Sequence, residues 1–424
     1  MVAMPWMALG SATLVVMAWL GFRRPTALVW VVLATFAVGP QWLLAGQISP
    51  QLLAGAVPAQ MLLLLGALLA SGARYGFRLD VANWPLLAVL WLLAQSLVLA
   101  NLDPAITPLA LLTATLGFAL PWCLIHVALQ PGSRAHYALL IALLPALCVA
   151  IGWGLDLVEA RDLFSGSKSR GLRLRGASNA GWLAFLSFMG FAVALHEAVR
   201  RRRLDFAGLA LLNVLITLLS GGRMALIACG VLSVTYVLLT PALRTTTALL
   251  GLIAAIGTGA VLLVVDLQLP IHELAQDPEW LLDPNGRDRI WQGYLDEVRA
   301  DPVFGQGLGA AEPAAYNRLP HNEYLRLLVD GGCVGLIMYA AAVLAWGRRV
   351  LGLIRPSERG FVWALFLALG VYALTDNVLL MPPGLIPFLY LAVMRTPARR
   401  RVRRGIRRRR SRPEPALRPA SAGE

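Results

Sequence analysis

The stretch LPHNEYLRLLVDGGCVGLIMYAAAVLAW, residues 319–346, joins the end of a polar segment to the start of an apolar helix. The polar segment, residues 266–321, interrupts a chain that is otherwise a succession of apolar segments. A neutral imidazole where a water-facing loop meets the membrane can act as a base on a substrate held at the membrane surface. His321 is therefore our first candidate for a catalytic residue.

Composition predicts the fold class. The 424 residues are 58% hydrophobic and only 14% charged, which is typical of a polytopic helical membrane protein. We predict an all-α protein with about twelve, at most thirteen, transmembrane helices, the first of them a retained span or an interfacial helix. These segments lie near residues 3–21, 26–45, 51–72, 82–100, 105–128, 136–156, 178–199, 205–220, 223–241, 246–265, 322–347, 359–378 and, shorter, 384–396.

The distribution of arginine predicts the orientation of the spans, because inside loops accumulate basic residues. It assigns loop 159–178, turn 220–223 and loop 266–321 to the outer face. The predicted organisation is a transmembrane bundle (1–265), a large outer loop with short helices (266–321), C-terminal transmembrane helices (322–396) and a basic tail on the inner side (397–424), expected to be disordered. The net charge of +14 then reflects topology, and the tail suits anionic lipid better than nucleic acid.

Basic charge on the predicted outer face needs an explanation. Arg173 and Arg175 lie in the outer segment 159–178, against the bias that orients the rest of the chain. Arginine suits pyrophosphate because its planar fork donates two parallel hydrogen bonds and keeps its charge. Both residues are candidate pyrophosphate ligands, and contact with lipid phosphate is the alternative. The sequence leaves open which of the two lies closer to phosphate.

A further outward arginine, Arg223, follows Gly221 and Gly222 in a tight turn between two apolar helices. The glycines allow close approach of a ligand to the backbone. In the first turn of the next helix, free N–H groups and the positive end of the helix dipole would reinforce the guanidinium charge. We therefore predict that Arg223 binds an anion, with interfacial snorkelling as the alternative.

The large loop carries two more candidate ligands, Arg287 and Arg289, in an acidic setting of ten acids against four arginines. Helical spacing of apolar residues predicts a short amphipathic helix that starts near Arg287 and ends at Asp301-Pro302. The glycines at 305, 307 and 309 are interpreted as a turn, because no strand precedes them and no lysine follows. The apolar positions of that helix are Ile290, Tyr294, Leu295 and Val298.

Polar residues after His321 complete the candidate site. Glu323, Arg326 and Asp330 fall on one helical stripe, and Arg326 and Asp330 are spaced to pair. Charge at the head of a span must face the protein interior. We predict that His321 is catalytic, although an interfacial histidine can also be structural. Supporting roles are assigned to Asn322, Glu323, Arg326 and Asp376, the main acid within a later apolar segment.

Four motifs together resemble the superfamily of bacterial O-antigen ligases and O-antigen polymerases, most of all the lipopolysaccharide O-antigen ligase. The resemblance covers roughly residues 160–340, and Gly222 stands where relatives often carry serine, so no hydroxyl is expected there. The motifs are RLRGASN at 173–179, SGGRMA at 220–225, GRDRIW at 286–291 followed by DPVFGQGLG at 301–309, and HNEYLRLLVDGG at 321–332.

The resemblance implies a metal-independent, inverting glycosyltransferase of the GT-C type, without cofactors, in the bacterial inner membrane with its active site facing the periplasm. The donor would be a glycan on undecaprenyl pyrophosphate, and the acceptor of a ligase would be a sugar hydroxyl of lipid A-core. His321 would act as general base, while Arg175, Arg223 and Arg287 would neutralise the departing pyrophosphate. A monomer is the working hypothesis.

Three alternatives stay open. An O-antigen polymerase and a protein O-oligosaccharyltransferase of the same superfamily would share the arginines and the histidine. A polyprenyl-glycan transporter or flippase would also need many spans, but it predicts charged or broken helices near the membrane midplane. A metal site is not expected, because the early outer loops lack the acidic pair that metal-dependent GT-C enzymes usually carry.

Overall fold

A computed structural model describes residues 19–21, 23–39, 55–79, 82–98, 106–167, 171–240, 287–311 and 320–395. Two strands, β1 (Phe164–Ser167) and β2 (Gly171–Leu174), form one hairpin, and 3₁₀ turns lie at Leu124–His126, Pro356–Glu358 and Pro382–Leu385. The helices are α1 (Pro25–Thr35), α2 (Ala56–Tyr75), α3 (Trp84–Val98), α4 (Pro108–Cys123), α5 (Arg134–Leu157), α6 (Ala180–Arg201), α7 (Leu204–Leu219), α8 (Arg223–Leu239), α9 (Arg287–Ala300), α10 (Glu323–Leu353), α11 (Arg359–Tyr372) and α12 (Ile386–Met394).

Length and composition make this chain a polytopic helical membrane protein. Within the described ranges, five helices are long and apolar enough to cross a membrane: α2, α4 with its following turn, α5, α6 and α10. Shorter apolar helices are α1, α3, α7, α8 and α12 with its preceding turn. Most helix ends lie within a few residues of the predicted segments. The predicted span 246–265, the tail 397–424 and most of the first span lie outside the described residues.

The β1–β2 hairpin departs from the predicted all-α fold. It lies in the predicted outer loop 159–178 and pairs Phe164 with Leu174 and Ser165 with Arg173 in antiparallel register. The alternation Leu172-Arg173-Leu174-Arg175 is the period of two expected for a strand. Leu174 is buried, and Arg173 points away from it as the alternation requires. That short alternation was the signal the sequence interpretation missed.

Aromatic contacts fix the relative directions of α6, α8 and α11. Phe185 near the start of α6 contacts Tyr372 at the end of α11, with ring centroids 4.9 Å apart. Tyr236 near the end of α8 contacts Phe361 near the start of α11, at 5.5 Å. The starts of α6 and α8 therefore lie at the same end of the bundle as the end of α11. We call this the site end, and the other the base.

The base of the bundle is held by ion pairs around Glu197, which is completely buried at the end of α6. Its carboxylate pairs with Arg134 at 2.7 Å, with Arg200 at 2.5 Å and with Arg201. It also accepts a hydrogen bond from the Tyr390 hydroxyl at 2.7 Å. Buried charges are stable only when paired and hydrogen-bonded. One carboxylate thus joins α5, α6 and α12.

Replacing Glu197 by glutamine should destabilise the fold strongly. Arg134, Arg200 and Arg201 would lose their shared counter-charge, and breaking a buried pair costs roughly 3 to 5 kcal/mol. The check is the thermal unfolding midpoint of the detergent-solubilised protein. Asp205→Asn is the matched control, since its pair with Arg203 is exposed and exposed pairs contribute little to stability. Equal shifts for the two variants would contradict the role assigned to Glu197.

Candidate functional site

His321 lies at the site end, one residue before the cap of α10. Its backbone has a positive φ of 48°, a conformation that few residues other than glycine adopt. Its Nδ1 lies 3.3 Å from Oδ1 of Asp376. The preceding carbonyl, of Pro320, accepts a hydrogen bond of 2.6 Å from Trp291 Nε1. Asp376 thus holds the imidazole and Trp291 holds the backbone before it, while 39% of the His321 side chain stays exposed.

The first residues of α10 attach the segment that carries Asp376. Asn322 caps the helix, because its side chain accepts hydrogen bonds from the N–H groups of Tyr324 and Leu325. The N–H of Glu323 donates to the carbonyl of Ala373 at 2.9 Å. Its carboxylate accepts from the N–H of Leu379 at 3.2 Å. Glu323 therefore forms a hydrogen bond to each end of segment 373–379, and these bonds place Asp376 opposite His321.

The predicted polar stripe of α10 is present and faces the protein interior. Glu323, Arg326 and Asp330 are all buried, and Arg326 is completely so. Arg326 Nε lies 3.4 Å from the Glu323 carboxylate, and its guanidinium lies 4.0 Å above the ring of Phe118. Asp330 accepts a hydrogen bond of 3.0 Å from the N–H of Ala311. The sequence predicted that Arg326 pairs with Asp330. The ion pair of Arg326 in the structure is with Glu323, and its charge also acts on Asp330.

Arg173 lies beside Arg223 at the turn between α7 and α8. Its Nε donates to the carbonyl of Ser220 at 2.8 Å and its Nη2 to that of Gly221 at 3.2 Å. These carbonyls end α7, where the helix dipole favours a cation. Gly221 has a φ of +64°, and Arg223 is the exposed first residue of α8, as predicted. Arg173 therefore fixes the turn that presents Arg223.

Arg175 has a different environment from Arg173. Its Nε donates to the carbonyl of Asp162 at 2.7 Å, and its Nη2 lies 3.3 Å from the carboxylate of the same residue. The Asp162 side chain is 87% exposed, so the pair is largely solvated and weak. Of the two predicted phosphate ligands in the outer loop, Arg173 is the one that the fold brings to Arg223.

Helix α9 is described over Arg287–Ala300, and its end before Asp301-Pro302 is the one that the sequence predicts. Its apolar face packs on Leu325 and Val329 of α10. One predicted member, Leu295, is instead 41% exposed. The side chains of Arg287 and Arg289 lie outside the described part of the structure, so their predicted roles stay predictions. The residues that form the face are Ile290, Trp291, Tyr294 and Val298.

The turn after α9 brings three glycines with positive φ: Gly305, Gly307 and Gly309, at 70°, 101° and 95°. The prediction of a turn here is confirmed, since these are conformations that glycine adopts without strain.

Three links around His321 were not predicted from the sequence. They are the contact of His321 with Asp376, the hydrogen bond of Trp291 to Pro320 and the hydrogen bonds of Glu323 to segment 373–379. Each joins parts of the chain that no short pattern connects. Among the residues with described placement, no three His, Cys, Asp or Glu side chains come together as a possible metal site.

The turn at Gly221 gives a prediction on stability. A Cβ at Gly221 would lie 2.8 Å from Arg173 Nε in a backbone with positive φ, so Gly221→Ala should cost about 1 to 2 kcal/mol. Gly230→Ala is the matched control, because Gly230 lies within α8 and a Cβ added there would meet nothing within 4 Å. Alanine there should stabilise the helix by about 0.5 to 1 kcal/mol. The thermal unfolding midpoint in detergent should fall in Gly221→Ala and rise in Gly230→Ala. A higher midpoint in Gly221→Ala would contradict the strained turn.

Comparison with known proteins identifies one region. The family model described as O-Antigen ligase matches residues 207–340. This confirms the resemblance to the superfamily of O-antigen ligases and polymerases. The match includes Arg223, α9 and His321, but neither Arg173 nor Asp376. No curated protein and no solved structure matches the chain significantly.

Proposed function

We propose that the chain is a glycosyltransferase that moves a glycan from a polyprenyl pyrophosphate to a hydroxyl group. In its specific form the proposal is an O-antigen ligase. The donor is then a polysaccharide on undecaprenyl pyrophosphate and the acceptor a sugar of lipid A-core. The reaction takes place at the periplasmic face of the bacterial inner membrane. About twelve spans of the GT-C type, with an outward loop 266–321, belong to the same proposal.

The observation that carries the proposal is the pair of His321 and Asp376. With Nδ1 donating to the carboxylate at 3.3 Å, the lone pair of the imidazole lies on Nε2, the nitrogen that would act as base. A carboxylate in this position fixes the tautomer and stabilises the imidazolium that forms on proton transfer. The exposed part of the side chain leaves room for an acceptor hydroxyl.

The backbone at His321 supports a functional interpretation over a purely structural one. A non-glycine residue with positive φ stores strain of order 1 kcal/mol, and such strain persists only where the surrounding structure holds it. Here Trp291 holds the residue before His321, and the cap at Asn322 fixes the residue after it. The result is an imidazole with a defined direction at the site end of the bundle.

The proposed reaction is a single displacement. The acceptor oxygen attacks the anomeric carbon while His321 takes the hydroxyl proton, and the bond from that carbon to the pyrophosphate oxygen breaks. The anomeric centre is inverted, and the leaving pyrophosphate carries away the electron pair. Arg223, at the start of α8, is placed to neutralise this charge, because the dipole of α8 and the guanidinium act together. Arg287 and Arg289 are proposed as further ligands, and Arg173 and Arg175 as weaker candidates.

The base assignment is tested by transfer of a polyprenyl-pyrophosphate-linked glycan to purified rough lipopolysaccharide in excess EDTA. His321→Ala should lower kcat about 1000-fold, since general base catalysis contributes roughly 10²- to 10⁴-fold. Asp376→Asn should lower it about 100-fold by removing the charge that orients the imidazole. His136→Ala at the start of α5 is the control and should keep wild-type transfer.

Different products separate the alternatives. Elongation of the donor without transfer to the acceptor would identify a polymerase, and transfer to a protein hydroxyl would identify a protein glycosylation enzyme. Movement of the donor across a vesicle membrane without a new glycosidic bond would favour the transporter. Full transfer by His321→Ala would eliminate the proposed base, and loss of wild-type transfer in EDTA would eliminate a metal-independent reaction.

The role of Arg223 gives a separate kinetic prediction. Arg223→Ala should raise the donor KM and lower kcat, because the guanidinium contacts pyrophosphate both before and during bond cleavage. The combined loss in kcat/KM should be about 100-fold, as for removal of one charge-stabilising donor. Arg203→Ala, which removes a solvated arginine at the base, should leave both constants unchanged. An unaltered kcat/KM in Arg223→Ala would remove this residue from the pyrophosphate site.

A further inference from the structure

Helix α10 is broken at Gly332, and another part of the chain fills the break. Gly332 has a φ of +61°, outside helical geometry. On the far side of the break, the N–H groups of Cys333 and Val334 donate to the carbonyls of Pro302 and Val303, at 2.9 and 3.2 Å. The loop after α9 thus supplies acceptors that the helix itself lost.

The same loop also serves the near side of the break. The N–H groups of Gln306 and Gly307 donate to the carbonyls of Val329 and Asp330, at 2.8 and 3.1 Å. Loop 302–307 therefore takes the place of the missing helical hydrogen bonds on both sides. Because unsatisfied backbone groups are costly inside an apolar bundle, the loop and α10 form one unit.

Glycines allow this close approach. A Cβ at Gly332 would clash with the carbonyl oxygen of Val303, and one at Gly305 would lie 2.5 Å from the N of Gly332. Gly331 and Gly335 likewise admit Leu92 of α3, whose Cδ2 would lie 2.5 and 2.7 Å from their Cβ atoms. Small residues four positions apart are typical of tight helix packing in membranes. Helix α3 therefore lies directly against the break.

The side chain of Gln95, in α3, forms hydrogen bonds to both segments that meet at the break, the loop and α10. Its side-chain amide donates to the carbonyl of Phe304, in the loop, and to that of Gly331, in α10, at 3.3 Å. Its Oε1 accepts from Trp91 Nε1 at 3.0 Å. The neighbouring Ser96 hydroxyl accepts from the N–H of Leu308 at 2.7 Å. Gln95 is only 4% exposed. Burying a polar side chain in an apolar helix costs free energy, which its hydrogen bonds must offset.

We propose that Gln95 is a positioning residue that keeps the part of α10 before Gly332 and the loop after α9 in one fixed arrangement. This part of α10 is separated from His321 only by its cap residue Asn322, and the loop continues from α9, which holds Pro320 through Trp291. The two segments that flank His321, α10 and the segment of α9 with its loop, therefore meet at the break, where Gln95 forms hydrogen bonds to both. The inference rests on the proposed function, and Gln95 lies outside the matched segment 207–340.

Gln95→Met tests the proposal, because methionine has nearly the same shape and cannot donate a hydrogen bond. Gln60→Met is the matched control. Gln60 is also buried, at 6% exposure, and its amide also donates to two carbonyls, those of Thr35 at 3.0 Å and Val38 at 3.4 Å. Each variant removes an amide that donates to two backbone carbonyls, in one case at the break in α10 and in the other between α1 and α2.

Two measurements are made on both variants of the full-length protein in detergent. The first is backbone amide exchange at residues 303–308 and 329–334, which should speed up at least about tenfold in Gln95→Met and stay at the wild-type rate in Gln60→Met. The second is glycan transfer, in which Gln95→Met should lower kcat roughly 10- to 100-fold with a small change in KM, since a displaced base affects the chemical step.

The outcomes separate the inference from the function on which it rests. Unchanged exchange at both segments in Gln95→Met would overturn the inference, as would equal loss of kcat in the two variants. If wild-type protein transfers no glycan to any acceptor, the proposed function fails, and only the structural part of the inference, tested by amide exchange, remains. Faster exchange confined to Gln95→Met, together with a loss in kcat that Gln60→Met does not share, supports it.

Discussion

Burial of polar groups inside an apolar bundle is the constraint on which this structure depends. A membrane-spanning chain must satisfy its polar groups internally, because lipid offers neither donors nor acceptors. The first turns of α10 meet this constraint at the point where the candidate site forms. Glu323 is buried, and its carboxylate accepts from the N–H of Leu379 and pairs with the charge of Arg326. The bonds that make this carboxylate tolerable are the same ones that bring Asp376 to His321.

The two ends of the bundle satisfy the constraint in different ways. At the base, Glu197 is bound by three arginine side chains and a tyrosine hydroxyl, a set of strong charge-assisted contacts. At the site end, single hydrogen bonds to backbone groups of loops occur at Ala311, Leu379 and Phe304. Single bonds to loops open at lower cost than a buried ionic cluster. The base is thus suited to stability, and the site end can open at lower cost, as the proposed transfer between two large substrates requires.

Local patterns in the sequence predicted much of this arrangement. The lengths of the apolar segments predicted the membrane helices, and apolar spacing predicted α9. The proline at 302 predicted where α9 ends. The junction at His321 singled out the residue that the structure holds by Asp376. The β1–β2 hairpin was missed because only four residues alternate there. Gln95 could not have been predicted, since its partner Phe304 lies 209 positions away and one glutamine in an apolar helix carries no pattern.

The O-antigen ligase match covers His321 and Arg223 and omits α3 and Asp376. Proton transfer near neutral pH calls for an imidazole, and pyrophosphate calls for guanidinium, so the chemistry demands particular residue types. Holding a loop in place demands only a hydrogen-bond partner at the right point. Around the same break the Gln95 amide donates, the Ser96 hydroxyl accepts and backbone groups do both. Positioning can therefore be achieved by many sequences. In the proposed reaction, the tasks of His321 and Arg223 are therefore bound to one residue type each, whereas the task of Gln95 is not.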